Sequence, residues 1–220
     1  MNNKIVTDKH NETRSKLMAK LLPYVRKNGF QLLTMDEISR IMGISRATLY
    51  KYYSTKEDIV EFIVDSFVQY IHEIVDETSG EKMGDRFQQI FEQTVLLMQY
   101  ITDVFLKDLE VHYPEKFDQL GEALKTREQQ ILDFYNAGIK QGIFNKINVK
   151  ITIKQDEILR DILDAKYLME NNLTVYNAIS DYYTIKKILL FIPDKLHTVD
   201  DKAMTPKIEY MAAKITKNLF

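Results

Sequence analysis

Residues 34–53 restrict the fold of this chain more tightly than any other stretch. They read TMDEISRIMGISRATLYKYY. Thr34 followed three residues later by Glu37 makes a capping box, in which the hydroxyl accepts from the Glu37 amide and the carboxylate reaches back to the Thr34 amide. A short helix is expected to about Met42, with Ile38, Ile41 and Met42 facing inward. Gly43 then permits a sharp turn that a side chain would resist. Ser45 caps a second short helix, expected to about Tyr52. Two short helices joined by a glycine turn pack at a steep angle and leave the second with an open face.

The rest of the chain reads as helix too. Only 7 Gly and 4 Pro occur in 220 residues, too few for many strands returning in tight turns. Apolar residues make up 45%, enough for a sizeable core. Residues 1–9 look like a frayed arm, and Leu17, Leu21, Tyr24 and Val25 recur at helical spacing up to Gly29, with Pro23 predicting a kink. Thr55 with Asp58 opens a long helix expected to Thr78, with the stripe Ile59, Phe62, Ile63, Phe67, Ile71 and Ile74. A pattern from Phe87 to Phe105 runs until Tyr113-Pro114, and a further helix ends at Gly142. Residues 143–153 alternate like a strand but have no obvious partner, so a loop leading into a helix is expected. Helices over about 155–171 and 174–192 follow, then a polar linker over 194–205 and one short helix over 206–219. The expected fold class is all-α.

Several function classes lack their signatures. The absence of cysteine removes disulfides, thiolate nucleophiles and Cys-ligated zinc, and fits a reducing cytosol. No apolar run reaches membrane-span length and the polar N-terminus has no signal-peptide core, so a cytoplasmic protein is expected. His10, His72, His112 and His197 are scattered, and no GxSxG, P-loop or GxGxxG occurs. The reading is therefore of no enzyme, no cofactor and no metal. Charge is lopsided instead. Residues 1–56 hold 11 basic and 4 acidic side chains, while residues 57–220 hold 19 basic and 28 acidic. A basic head on an acidic body suggests a polyanion partner for the head alone.

The second short helix carries suitable chemistry for that partner. Leu49 points to the core, and Arg46, Ala47, Thr48, Tyr50, Lys51 and Tyr52 cover the remaining faces. Arginine pairs bidentately with guanine, and Ala and Thr methyls touch a thymine methyl. Tyrosine hydroxyls, Ser45 and Lys51 suit phosphate oxygens, and Lys56 adds its charge to the amides that start the next helix.

The stretch from about Thr13 to Ile59 resembles the N-terminal domain of TetR-family transcriptional regulators. The residues that carry the resemblance are Gly29-Phe30, Thr34, Ile38-Ser39, the run Gly43-Ile44-Ser45-Arg46-Ala47-Thr48-Leu49-Tyr50-Lys51-Tyr52-Tyr53, and Lys56-Glu57. Pro23 and Ala47 depart from the usual pattern, which has a helix former and often glycine at those places. The resemblance places DNA contacts on Thr34, Ser45, Arg46, Ala47, Thr48, Tyr50, Lys51, Tyr52 and Lys56. It implies an N-terminal three-helix DNA-binding domain over 1–55 and a helical ligand-sensing and dimerisation domain over 56–220, connected by helix 56–78. It implies a homodimer on palindromic operator DNA, built from the last two principal helices, and a small-molecule effector in the body. Broad apolar faces support the dimer, with Ile158 and Ile162 on the first helix and Tyr182, Ile185 and Leu189 on the second. Composition alone nominates Met98, Phe105, Phe134, Tyr135 and Tyr167 as effector contacts. The alternative is a helix-turn-helix protein acting as an activator, or a loosely specific DNA-binding module without an inducer.

Overall fold

Helix α1 (Asn2–Asn28) begins inside the expected frayed arm and runs unbroken through Pro23 in a computed structural model that describes residues 2–73 and 82–219. It ends at Gly29, whose φ of +72° is left-handed. A Cβ there would lie 2.9 Å from the carboxyl carbon of Asp108, so glycine is required by both backbone and space. Helices α2 (Met35–Met42) and α3 (Arg46–Tyr52) follow, then α4 (Lys56–Glu73). The expected continuation of α4 to Thr78, with Ile74, lies outside the described residues.

The apolar pattern from Phe87 to Phe105 divides into α5 (Met83–Tyr100) and α6 (Asp103–His112). Thr102 causes the break, because its hydroxyl accepts from the Phe105 amide and so starts a new helix. Helix α7 (Pro114–Lys140) ends on the left-handed Gly142, with the Ile143 amide donating to Gly138 O. The alternating stretch 143–153 forms no strand. Its one ladder contact is an isolated bridge from Phe144 to Phe191, and Asn148 caps α8 (Val149–Lys154) by accepting from two amides.

The helix expected over 155–171 is in pieces. A 3-10 turn (Gln155–Glu157), α9 (Ile158–Ile162) and α10 (Ala165–Glu170) replace it. Asp164 causes the second break by capping α10 through the Lys166 and Tyr167 amides. Helix α11 (Val175–Leu190) agrees with expectation, and Pro193 opens a 3-10 turn (Pro193–Thr198). The linker and short tail helix give way to α12 (Asp201–Leu219), 19 residues long. Asp200 starts it early, accepting from the Lys202 and Ala203 amides. The last two principal helices are thus α11 and α12, which pack on each other, and not 155–171 with 174–192.

The chain divides into two compact units. The first comprises residues 1–70 and 100–122. In it α1 packs on α2 and α6. The Thr102 hydroxyl donates to Arg26 O at 2.6 Å, and the Asp108 carboxylate accepts from the Phe30 amide, so α6 holds the end of α1 at two points. Phe105 closes this junction, its ring 5.5 Å from Phe30 and 5.7 Å from Phe67.

The second unit comprises residues 71–99 and 123–220. Its core is aromatic, with Tyr183 against Phe87 and Phe91, and Phe191 against Phe87 and Phe144. Among the described residues no helix is long and apolar enough to cross a membrane.

Candidate nucleic-acid interface

The exposed face of α3 is fixed from both ends and from beneath. At the start of α2 the capping box is complete: Thr34 Oγ1 accepts from Glu37 N at 3.3 Å, and Glu37 accepts from Thr34 N at 2.8 Å. The Thr34 amide, and then the Thr34 hydroxyl donating to the same carboxylate oxygen at 2.8 Å, hold the Glu37 carboxyl below its ordinary range. At the other end Gly43 is left-handed, with φ 70° and ψ 38°. Its amide donates to Arg40 O, and the Ile44 amide donates to Ser39 O, the paired bonds of a Schellman turn. Lys20 of α1 donates to the remaining Met42 carbonyl at 2.9 Å. The turn therefore has little freedom, and Ser45 follows at once as the cap of α3, accepting from Thr48 N at 3.1 Å.

Leu49 and Tyr53 anchor α3 in the core, where both are fully buried. Tyr53 donates from its hydroxyl to Arg14 O at 2.8 Å, and burial pushes its phenol well above its ordinary pKa. The Arg14 guanidinium lies over the rings of Tyr53 and Phe62 and pairs with Asp58 at 2.6 Å. Asp58 also accepts from Ser54 N, while its own amide donates to Thr55 Oγ1. One arginine thus joins α1, the end of α3 and the start of α4. Sequence reasoning missed Arg14 and Lys20, and gave Asp58 only its part in the cap with Thr55; long charged side chains beside short caps were the only signal of the rest.

With the scaffold fixed, Arg46, Ala47, Tyr50 and Lys51 are exposed on α3. The Arg46 guanidinium pairs with Asp36 at 3.2 Å and lies 5.6 Å from the centre of the Tyr50 ring. Its pKa is raised first by the Tyr50 hydroxyl and then by Asp36, so the group stays charged. Thr34 and Ser45 are exposed but serve first as caps, and Thr48 shares its hydroxyl with Ser45 at 2.8 Å. Tyr52 is half-buried against the His10 ring. Lys56 is half-buried and donates to Gln31 O at 3.3 Å, which uses one of its three donors. The arrangement presents a guanidinium, a methyl, a phenol and an ammonium on a two-turn helix narrow enough for a major groove.

The sequence profile described as "Bacterial regulatory proteins, tetR family" matches residues 25–63, from the end of α1 through α2 and α3 into α4. Residues 25–63 are thus a DNA-binding segment of the TetR type. Its two short helices and glycine turn are a helix-turn-helix.

The chain is 21% identical over 163 residues to YvaF, an uncharacterized HTH-type transcriptional regulator of Bacillus subtilis (strain 168), across 72% of this chain and 85% of that one. Its fold is similar to that of the ketosteroid transcriptional regulator KstR2 of Mycobacterium tuberculosis, with 17% identity, a TM-score of 0.52, and coverage of 93% of this chain and 94% of that one. It is also similar to a transcriptional regulator from Saccharomonospora viridis in complex with choline, with 14% identity, a TM-score of 0.55, and coverage of 82% and 98%.

Of the body residues nominated from sequence, Phe105 falls in the first unit and Met98, Phe134, Tyr135 and Tyr167 in the second. Phe105 is fully buried between Phe30 and Phe67. Tyr167 is 40% exposed on α10. Phe134 and Tyr135 meet Phe144 inside the body, and Met98 is half-buried on α5. Of the nominated dimer residues, Ile158 and Ile185 are exposed and Ile162 and Leu189 half-buried. Tyr182 is buried in its own chain, because its hydroxyl donates to Asp156 at 2.8 Å. That bond belongs to a group composition did not reveal. Lys186, only 3% exposed, donates to Asp156 at 2.7 Å and to Thr152 O. Burial is the main influence on this lysine and lowers its pKa, against the opposing pull of Asp156.

Proposed function

We propose that this chain is a ligand-responsive repressor that binds a palindromic operator as a homodimer and reads it with α3. The observation that carries the reading is the exposed set Arg46, Ala47, Tyr50 and Lys51 on a helix whose caps and core anchors leave it one orientation. Thr34, Ser45, Thr48, Tyr52 and Lys56 flank that set and serve the phosphates. Residues 1–55 are the DNA-binding part, and 56–220 sense the effector and dimerise, with α4 as the covalent link. The setting is the cytoplasm, and the role is regulatory without catalysis.

Support for the dimer comes from α11, which leaves Ile185 and Ile188 exposed at 60% and 56%. Apolar side chains in that number on one helix are costly to leave in water. A two-fold dimer offers two copies of α3 to half-sites about one DNA turn apart, roughly 34–36 Å. Support for an effector comes from the choline held by the structurally similar Saccharomonospora regulator. The effector acts only if it binds the two states of the regulator with different affinity.

Footprinting on the DNA upstream of the protein's own gene tests the reading. The expected result is two protected half-sites related by a dyad, with a dimer in sedimentation at micromolar concentration. Uniform weak protection, or a monomer, would contradict it.

A further inference from the structure

The segment of α1 that precedes the family match ends against the reading helix. His10 Nε2 lies 3.2 Å from Lys51 O, and since a carbonyl only accepts, the ring donates. The same ring lies 5.0 Å from that of Tyr52 at an interplanar angle of 35°. Residues 25–63 carry the family match, so His10 stands well outside it.

The location matters because α3 has only seven residues. A two-turn helix has a large share of its carbonyls without partners inside it, and it draws its order from caps and packing. Ser45 serves the first end. At the last end the Tyr53 amide donates to Leu49 O, and the next exposed carbonyl that gains a side-chain donor is that of Lys51. Lys51 and Tyr52 are also two of the proposed DNA contacts. Four residues along α1 from His10, Arg14 clamps Tyr53 from below, so consecutive turns of one helix hold consecutive residues of the reading helix.

We propose that His10 is a positioning residue for operator recognition: by capping Lys51 and packing on Tyr52, it fixes the C-terminal turn of α3 in the register that meets the bases. The partner is double-stranded DNA, and His10 acts on it through Lys51 and Tyr52. This inference rests on the proposal that α3 reads the operator, and the test separates the two.

The test compares the full chain with His10→Ala and His10→Gln, glutamine retaining an N–H donor of similar reach. Both changes are on the surface, and the fold is expected to survive them. In the free protein, amide exchange over residues 49–53 is expected to quicken about threefold to tenfold in H10A, the worth of one hydrogen bond, and to recover in H10Q. Unchanged exchange in H10A, or no recovery in H10Q, overturns the positioning role whatever the protein does with DNA. On DNA, H10A is expected to lose about threefold to tenfold in affinity for a duplex of the protein's own upstream region and less for a scrambled duplex, because the loosened turn carries the base-reading Tyr50 as well as Lys51 and Tyr52 on phosphates. Equal loss on both duplexes would make His10 a phosphate contact and contradict positioning. A wild-type protein that does not distinguish the duplexes would count against operator reading itself, while the exchange result would still decide the latch.

Discussion

Replacing Lys186 by methionine is expected to lower the unfolding free energy by about 3–5 kcal/mol, among the largest effects available to a single change in this chain. The lysine and Asp156 are both buried, 2.7 Å apart, and Tyr182 donates to the same carboxylate oxygen. Methionine preserves most of the side-chain volume, so the loss is electrostatic. It leaves a carboxylate in the interior with one hydroxyl donor where it had two partners. The double change Lys186→Met with Asp156→Leu should regain most of that loss, because an apolar pair of similar size removes the stranded charge. The Tyr182 hydroxyl would then lack its acceptor, at about 1–3 kcal/mol, and Tyr182→Phe should relieve that remainder. Urea unfolding with an unchanged m-value measures all three. A K186M protein as stable as the parent would show that the pair contributes nothing, and a double variant no better than the single one would show that packing sets the cost.

Replacing Arg46 by alanine should cost about 1–3 kcal/mol of discrimination between operator and scrambled DNA, a loss of roughly five- to 150-fold in the affinity ratio. The guanidinium is held by Asp36, but both side chains are more than half exposed. An exposed pair of this kind contributes little and is screened by salt, so Arg46 exchanges Asp36 for a guanine at little cost. Lys51→Ala should behave differently. An ammonium on phosphate carries no sequence information, so affinity should fall on both duplexes alike and the salt slope should shrink by about 0.9 for each phosphate that is no longer neutralised. Anisotropy titrations on both duplexes at several salt concentrations separate the two patterns. If R46A weakens both equally, Arg46 serves phosphate and the base-reading role belongs elsewhere on α3.

The sequence disclosed most where local chemistry decides the structure. Thr34, Glu37, Gly43 and Ser45 act within four residues of themselves, and the expected caps and turn recur in the folded chain. Local rules also explain what was read too simply. Thr102, Asn148, Asp164 and Asp200 are all caps that start helices inside what periodicity alone took for continuous helix, loop or linker. Apolar spacing does not register a break when the next helix resumes with apolar residues in phase. Partners distant in sequence were beyond reach. Phe105 has the character of a pocket residue, yet Phe30 and Phe67, 75 and 38 positions away, make it core. Lys186 does leave a trace in the sequence. It falls on the stripe Ala178, Ile179, Tyr182, Tyr183, Leu190, a lysine where an apolar residue is expected, which signals a buried partner without naming Asp156. His10 left none, since a lone histidine in a polar segment does not announce which carbonyl it will meet.

If residues 34–56 grip DNA by its phosphates and read it with α3, binding must weaken as salt rises and must still distinguish sequences. Equilibrium binding of the wild-type chain to a duplex of its own upstream region, measured across a range of salt concentrations, tests this most directly. The expected result is log K falling linearly with log salt by several units of slope, roughly 0.9 for each phosphate neutralised, with the scrambled duplex weaker throughout. Affinity that hardly changes with salt, or no binding to either duplex, would contradict it.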